Sequence, residues 1–354
     1  MTVYVFLYLL MILGSVFIYK ISKAKNKARN VAIFCSIAVI SVIAFRHPSM
    51  GIDLHYGKNQ GYLFSYGEIS EFSWTRIFNQ SYLNFERGYV VFNKILSYFF
   101  TNVQFLLIAC ALISLIPICV FLYKNSRFMV MSIIVYMSLP TFVFVYSGLR
   151  QAIAIGICYI AISFAYKKKL VLFLLTVVLA ISFHKTSILF LVAFPLMNIK
   201  FKQIYRWMSL GVLAVVFIFR TQIYMFAISL FGKTTKPDNN GSYMFFLALV
   251  VIYILCFIYS DYTRKNEGFL NLLFVACLIQ AMGGVQNTVV RAAYYFIPVV
   301  AVLIPNVIMR VKNSFERAVI GAGAIAAFST YGFYVIYSTS WSMSYPYHFF
   351  WEVI

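Results

Sequence analysis

The sequence predicts an all-α protein that crosses a membrane many times. Of its 354 residues, 63% are hydrophobic and only 11% are charged, and the mean hydropathy is positive, a balance foreign to water-soluble domains of this length. Apolar runs also recur near the roughly 20 residues that a spanning helix needs. We therefore predict one integral membrane domain over residues 1–354, with neither an internal repeat nor a soluble domain.

Apolar runs define about 12 predicted membrane helices, within a range of roughly 10–14. The first run is followed, not preceded, by basic residues, so we expect it to remain as a membrane helix rather than to be a signal peptide. With twelve crossings, both chain ends lie on the outer side. The runs are residues 2–19, 31–45, 104–123, 128–145, 150–166, 170–184, 186–199, 207–219, 243–260, 269–285, 290–309 and 318–337.

Basic residues predict which side of the protein faces the cytoplasm. The net charge is +20, but 18 of the 29 Lys and Arg residues lie in six short links between apolar runs. Such links orient membrane helices by staying in the cytoplasm, so this charge does not indicate nucleic acid as a partner. The links are residues 20–29, 124–127, 167–169, 200–206, 264–265 and 310–317.

Residues 170–199 are too long for one ordinary crossing. As an unbroken helix, these 30 residues would extend about 45 Å at 1.5 Å per residue. A single crossing would also invert every later helix and place more basic residues outside than inside, against the usual bias. We therefore predict a break at His184 and Lys185 on the outer side, with His184 in a protein-lined cavity where irregular backbone is tolerated.

The largest outer loop, residues 46–103, is predicted to contain a helix that does not span. Residues 89–100 are only 12 in number and carry Asn93, Lys94 and Ser97 on one helical face, which favours an in-plane or re-entrant helix. For residues 222–232 it is likewise open whether they span the membrane or form an in-plane or re-entrant helix.

Motifs for metals, disulfides and nucleotides are missing from the sequence. The six cysteines all lie in apolar runs and include no Cys-x-x-Cys pair, so neither a disulfide framework nor a zinc site is indicated. No Asp-x-Asp, P-loop or Gly-x-Gly-x-x-Gly motif occurs. We therefore predict no metal and no nucleotide cofactor.

Arginines mark the outer ends of four apolar helices, and their planar guanidinium binds phosphate through two hydrogen bonds. The alternative is that they reach toward lipid headgroups. Arg150 is favoured as an anion ligand because it follows a predicted turn and opens a helix rich in small residues, which allow close helix packing. The four are Arg46, Arg150, Arg220 and Arg291.

Two tyrosines follow Arg291 at positions that share its helical face. Tyr294 and Tyr295 lie three and four residues after Arg291, where their rings could contact a sugar while the guanidinium binds phosphate. An aromatic belt at the membrane surface explains the same tyrosines equally well.

His184 is the one histidine flanked on both sides by long apolar runs. An imidazole ordinarily titrates near pH 6.5, which suits a general base for a hydroxyl nucleophile. The alternative is a helix-end histidine that is hydrogen-bonded to a turn. Thr186 and Ser187 either orient the imidazole or cap the next helix. In the outer loop, the carboxylates of Asp53 and Glu86 could bind sugar hydroxyls or a cation, but pairing with arginine is favoured.

Six segments, in this order, resemble the EpsG-like group of Wzy polysaccharide polymerases. The resemblance extends from about residue 40 to the end, and its most specific part is the Arg-Gln pair followed about 30 residues later by Phe-His-x-x-Ser. Gly51-Ile52-Asp53 departs from the Gly-Thr-Asp expected in that group. The segments are residues 46–56, Phe85-Glu86-Arg87-Gly88-Tyr89, Leu149-Arg150-Gln151-Ala152-Ile153-Ala154, Phe183-His184-Lys185-Thr186-Ser187, Arg291-Ala292-Ala293-Tyr294-Tyr295-Phe296 and Tyr345-Pro346-Tyr347.

This resemblance implies a metal-independent glycosyltransferase of the C-type superfamily in the bacterial inner membrane, with its site facing the periplasm or exterior. Such an enzyme transfers a growing glycan from undecaprenyl pyrophosphate onto the terminal sugar of a second lipid-linked repeat unit, without a cofactor. Its partners would be these lipid-linked oligosaccharides, membrane lipid and a chain-length regulator protein.

The resemblance also implies a role for each matched residue. Arg150 and Arg291 would hold the donor pyrophosphate with help from Arg46 or Arg220, and His184 or Glu86 would accept the proton, with Asp53 as a third catalytic candidate. The sugar-binding or orienting candidates are Gln151, Ser187, Tyr56, Tyr294 and Tyr295.

Two other functions fit part of the pattern. A flippase for lipid-linked oligosaccharides would also have many helices and a basic cavity, although transporters tend to show repeated halves and charges near the membrane centre. A ligase similar to the O-antigen ligases would share the donor site and differ only in its acceptor.

Overall fold

The computed structural model confirms the all-α prediction. Its described segments are helical throughout, apart from connecting turns and one isolated β-bridge between Arg46 and Phe349. The structure describes residues 2–55, 60–82, 85–230, 243–261 and 263–353.

The helices follow one another with short connections. The α-helices within the described segments are α1 (Thr2–Ile21), α2 (Lys27–Ala44), α3 (Tyr62–Glu71), α4 (Trp74–Asn79), α5 (Arg87–Ser97), α6 (Val103–Asn125), α7 (Met129–Ser138), α8 (Pro140–Phe144), α9 (Leu149–Tyr166), α10 (Leu170–Phe183), α11 (Ala193–Leu196), α12 (Gln203–Ile218), α13 (Arg220–Leu230), α14 (Met244–Tyr259), α15 (Arg264–Gln280), α16 (Asn287–Val290), α17 (Val300–Ile308) and α18 (Ser314–Ser338). Short 3₁₀ helices cover Ala24–Asn26, Ile52–Leu54, Lys185–Val192, Arg291–Tyr295, Ile297–Val299 and Ser340–Ser342.

Several helices are long and apolar enough to cross a membrane. Among the described residues, α1, α2, α6, α9 and α18 qualify individually, and α12 with the start of α13 makes a sixth if this pair, bent by 73°, is one span. Shorter apolar helices include α7, α10 and α14. The chain is thus a multi-pass membrane protein, and the count of about 12 spans stays a prediction.

The central helices pack closely where the sequence carries small residues. Helix α9 lies against both α6 and α10. A Cβ added at Gly156 of α9 would lie 2.7 Å from the carbonyl oxygens of Ile113 and Ser114 in α6. Such contact allows no side chain at position 156, so the close packing that the sequence predicted for α9 is confirmed.

Hydrogen bonds join several basic links at one end of the bundle. We call this end, where the segments after α6, α9 and α11 meet the start of α15 and the end of α17, the lysine-rich end. Asn306 in α17 donates to the carbonyl of Asn125 at 3.0 Å, and Arg264 donates to the carbonyl of Tyr166 at 3.0 Å. Arg264 also hydrogen-bonds to Asn198. The segments that follow α6, α9 and α11 therefore meet the start of α15 and the end of α17, as expected for links on one side.

The predicted break in residues 170–199 is confirmed. Helix α10 ends at Phe183, and His184 is extended with φ −157° and ψ 118°. The backbone N–H of Lys185 binds Glu86, whereas Asn198 binds the carbonyl of Ala165 at the lysine-rich end. The chain therefore turns at His184 and runs back along the bundle.

Helix α5 lies near its predicted position but is shorter than residues 89–100. It covers Arg87–Ser97 and packs against α3, α4 and α10. Its polar residues Asn93 and Lys94 are buried, and the Lys94 ammonium donates to the carbonyl of Ser70 at 2.8 Å. Its orientation relative to a membrane stays a prediction. Of residues 222–232, the last two lie outside the described segments.

Candidate active site

The carboxylate of Glu86 joins three segments of the chain. Its Oε2 accepts a hydrogen bond from Nη1 of Arg150 at 2.5 Å, and its Oε1 accepts one from the backbone N–H of Lys185 at 3.0 Å. Nδ1 of His184 lies 3.4 Å from Oε1, an ion-pair distance that is long for a hydrogen bond. Only 7% of the Glu86 side chain is exposed. One buried carboxylate therefore fixes the start of α9 and the break after α10.

The environment of Glu86 keeps its carboxylate ionised. Burial raises its pKa, but the His184 imidazole, the Lys185 N–H and the Arg150 guanidinium outweigh burial and lower the pKa to about 2. A carboxylate with so low a pKa is a weak base. Its arrangement suits electrostatic support of His184 and Arg150 better than proton abstraction.

Arg150 is oriented by aromatic residues as well as by Glu86. Its Nε donates to the hydroxyl of Tyr62 at 3.1 Å, and its Cζ lies 4.5 Å from the centre of the Phe85 ring. The rings of Tyr62 and Phe85 are themselves stacked, with centroids 5.5 Å apart. Arg150 also lies in the first turn of α9, where the helix dipole adds positive potential. This end of α9 therefore favours an anion.

The turn at Gly51 places Asp53 beside the start of α9. Gly51 has φ +122°, and a Cβ there would lie 2.2 Å from the carbonyl oxygen of Tyr146. The N–H of Ile52 donates to Oγ of Ser147 at 3.0 Å. Only glycine fits this close approach and this φ. Together with the Ile52–Ser147 hydrogen bond, it allows the 3₁₀ turn Ile52–Leu54 to lie against the residues that precede α9.

Arg291 lies next to the first turn of α9, and both Arg291 and Arg150 act electrostatically on Asp53. Burial raises the pKa of Asp53, and both arginines oppose that rise, so both lie within electrostatic reach of its carboxylate. The side-chain amide of Gln151 donates to the carbonyl of Arg291 at 2.9 Å. The Arg291 guanidinium carbon lies 5.4 Å from the centre of the Phe144 ring. Arg291 is exposed at this position, so its guanidinium is accessible to a ligand.

The residues after His184 stabilise the turn rather than the imidazole. The hydroxyl of Ser187 donates to the backbone carbonyl of His184, so this side chain binds the turn, and the next helix has no side-chain cap. The hydroxyl of Thr186 lies 3.1 Å from that of Tyr295. Tyr295 is fully buried, and Tyr294 is buried edge-on against Phe144 with centroids 5.3 Å apart. Such burial favours positioning roles for both tyrosines over stacking on sugar.

Arg46 and Arg220 have different surroundings from Arg150 and Arg291. Arg46 is 0% exposed, and its Nη1 donates to the carbonyl of Ile43 at 2.5 Å. Full burial argues against its predicted contact with pyrophosphate. Arg220 lies at the bend between α12 and α13, where it donates to the carbonyl of Phe217 at 2.7 Å and lies over the Tyr243 ring. Tyr56 lies outside the described residues.

Sequence reasoning missed the aromatic support of Arg150. Phe85 directly precedes the predicted site residue Glu86, and this adjacency was the available signal. Tyr62 carried no signal, because its partner is 88 residues away. Among the described residues, no group of three or more His, Cys, Asp or Glu side chains is placed to hold a metal ion.

The bundle and this site together define a multi-pass, all-α membrane protein with an ionised polar site where a helix is interrupted. The chain belongs to the EpsG family, whose model matches residues 30–349. This membership suggests a role in polysaccharide biosynthesis. No curated protein and no solved structure matches the chain significantly.

Proposed function

We propose that this protein is a polysaccharide repeat-unit polymerase. It would transfer a growing glycan from undecaprenyl pyrophosphate to the terminal sugar of another lipid-linked repeat unit. The observation that carries the proposal is the convergence of Arg150, His184 and Glu86, with Asp53 and Arg291 beside them. This set supplies two cations for an anionic leaving group and a base for a hydroxyl nucleophile.

The arginines would bind the donor pyrophosphate. Arg291 is exposed, and Arg150 is held rigidly by Tyr62 and Glu86 at the positive end of α9. Pyrophosphate carries away the electron pair of the bond to the anomeric carbon, so negative charge grows on it in the transition state. Fixed donors aimed at developing charge usually provide the largest catalytic contribution.

His184 would be the base. Because Glu86 has a pKa of about 2, we assign proton acceptance to the imidazole. Nδ1 faces Glu86, which leaves Nε2 for the acceptor hydroxyl. As that oxygen bonds to the anomeric carbon, its proton moves to Nε2, and Glu86 stabilises the resulting imidazolium. A 3.4 Å contact is expected to shorten as this charge forms.

Asp53 would act on the sugar or on the arginines. Its carboxylate is influenced electrostatically by both Arg291 and Arg150. It could accept a hydrogen bond from a sugar hydroxyl or orient either guanidinium. The loop that carries it is held by Gly51 against Tyr146. Its position therefore depends on the same turn that opens α9.

We further propose that about 12 crossings place this site on the outer side of the bacterial inner membrane, with the lysine-rich end in the cytoplasm. Lipid-linked oligosaccharide then enters from the outer leaflet. A chain-length regulator protein and membrane lipid would be the remaining partners.

The test uses purified protein supplied only with lipid-linked repeat units. A polymerase lengthens them into a ladder of products spaced by one repeat unit, whereas a flippase leaves their length unchanged and a ligase requires a different acceptor. If the wild-type protein yields no longer product, the proposal is wrong.

A further inference from the structure

A cavity adjoins Glu86, and neither Arg150 nor Arg291 is among the described residues that line it. Its volume is about 380 Å³, within the range of roughly 300–1,000 Å³ typical of small-molecule pockets. It is enclosed by α4, the start of α5 and the end of α10. Because Phe85, Glu86 and Lys185 line it, a molecule bound there would lie next to the proposed reaction centre.

The cavity is strongly basic. Arg76, Arg87 and Lys185 line it, each from a different segment. Among the described residues that line it, Glu86 is the one carboxylate, and it already accepts hydrogen bonds from Arg150 and the Lys185 N–H. One further carboxylate, that of Glu68, accepts a hydrogen bond from the lining residue Tyr82. The three cations therefore exceed the negative charge available to them, which favours an anionic ligand.

The lining also has the surfaces that a sugar requires. Tyr82 and Phe85 contribute apolar surface to the cavity wall, and the side chains of Gln80 and Ser81 provide hydrogen-bonding groups. The Cζ atom of Arg76 lies 3.7 Å from the centre of the Phe72 ring, and this cation–π contact holds the guanidinium at the cavity wall. Rings and polar groups together suit a pyranose better than a bare inorganic anion.

We propose that this cavity binds a carboxylate-bearing sugar of the glycan substrate, such as a uronic acid, next to the linkage being formed. The inference rests on the proposed polymerase function and deepens it, since it assigns an acidic repeat unit as the substrate class. Arg76 and Arg87 would bind the sugar carboxylate through charge-assisted hydrogen bonds.

The binding test uses full-length protein in nanodiscs of uncharged lipid. Its probes are digalacturonic acid, its neutral methyl diester and inorganic pyrophosphate. We expect the wild type to prefer digalacturonic acid, and Arg76→Gln or Arg87→Gln to weaken that binding by about 10-fold, the effect of losing one hydrogen bond to a charged group. Lys312→Gln, which removes a cation from the link before α18, is the matched control and should bind as the wild type does.

Three results would overturn the subsite. The first is equal binding of digalacturonic acid and its methyl diester. The second is unchanged binding of the acid by both Arg76→Gln and Arg87→Gln. The third is that the wild type binds only pyrophosphate among the three probes and that these two variants lose this binding. Arg87→Lys separates charge from misfolding, because a lysine that restores part of the affinity supports a charge effect. If neither glutamine variant folds, Arg76→Lys and Arg87→Lys give the decision: weakened binding of the acid relative to its ester supports the subsite, and unchanged binding opposes it.

A chain-lengthening assay separates this inference from the proposed function. Neutral and uronate-containing lipid-linked repeat units are compared at equal concentration. Faster growth on the acidic units, lost in Arg87→Gln, supports the subsite. Equal growth on both, unaffected by Arg87→Gln, removes the subsite and leaves the polymerase. If digalacturonic acid binds as expected but neither unit is lengthened, the polymerase proposal fails and the acidic-sugar site remains.

Discussion

Among the described residues, two histidines have a carboxylate partner, but only one of the pairs is at the proposed reaction centre. His184 lies by Glu86 with 22% of its side chain exposed, and His348 pairs with Glu352 at 2.9 Å near the C-terminus. The second pair therefore provides a matched control for the first. It contains the same chemical groups on an exposed surface without the arginines.

His184→Ala is expected to lower the rate of chain growth by about 100-fold or more, the usual range for losing a general base. Substrate affinity should change far less, because the imidazole acts mainly in the transition state. Steady-state kinetics with lipid-linked repeat units measure both, and His348→Ala should match the wild type. Unchanged turnover in His184→Ala would remove this residue from the chemistry.

Arg150→Lys is expected to be nearly as inactive as Arg150→Ala. A lysine carries the charge but cannot bond Tyr62 and Glu86 while presenting a planar fork to phosphate. Product ladders from the two variants should both be lost, with expression retained. Arg310→Lys, at the lysine-rich end, should polymerise normally. Normal polymerisation by Arg150→Lys would contradict the proposed two-bond contact.

Glu86 should give stability a distinct pH dependence. Its pKa in the folded protein is lowered from 4.5 to about 2, so its stabilising effect is fully present above about pH 4.5 and is lost as pH falls toward 2. The difference in unfolding temperature between wild type and Glu86→Gln should therefore be largest near neutral pH and shrink below 4.5. Glu71→Gln, at the exposed end of α3, is the control. A difference that is constant from pH 7 to 3 would contradict the assigned pKa.

At the residue scale, the sequence favoured Arg150 and Arg291 over Arg46 and Arg220 as pyrophosphate ligands but could not show the partners of any of the four. Arg46 and Arg150 have similar positions in the sequence, but Arg46 is buried against the carbonyl of Ile43 while Arg150 meets Glu86. These partners are set by tertiary packing, which composition and spacing do not encode. The same applies to Tyr294 and Tyr295, whose rings are buried rather than available to sugar.

At the element scale, helix ends and turns position the site. The break at His184 was predictable, because residues 170–199 are too long for one crossing and the positions of the basic links required the chain to reverse there. The burial of Lys94 on α5 was not predictable, because its partner, the carbonyl of Ser70, is brought to it by tertiary packing. The spacing of the polar residues predicts a face toward solvent or headgroups, whereas Asn93 and Lys94 are buried in the protein.

Gly51→Ala tests the turn that places Asp53. The substitution meets the carbonyl of Tyr146 at 2.2 Å and requires φ near +122°, so it should destabilise the protein by about 1–3 kcal/mol and reduce chain growth. Gly67→Ala is the control, since a Cβ there meets nothing within 4 Å. Thermal unfolding and product ladders measure both effects. A stable, fully active Gly51→Ala protein would contradict the role of this turn.

At the scale of the whole molecule, the site and the lysine-rich end occupy opposite ends of the bundle. Hydrogen bonds through Asn306, Arg264 and Asn198 mark one end, and Glu86 with Arg150 marks the other. Sequence predicted this separation from the alternation of basic links along the chain. The number of crossings stays a prediction, because several apolar helices are shorter than a span or are interrupted.

Cysteine labelling tests the proposed orientation. The six native cysteines are buried, so a membrane-impermeant maleimide should report on introduced residues. Thr75→Cys, exposed on α4 near the site, should react in intact cells. Lys312→Cys should react only after permeabilisation. The reverse pattern would place the site in the cytoplasm.

The most direct measurement of the central claim is an experimental structure with undecaprenyl pyrophosphate oligosaccharide bound. We expect the pyrophosphate to contact the guanidinium groups of Arg150 and Arg291, with the anomeric carbon facing Nε2 of His184. Pyrophosphate bound at the lysine-rich end, or arginines turned away from it, would contradict the proposed site.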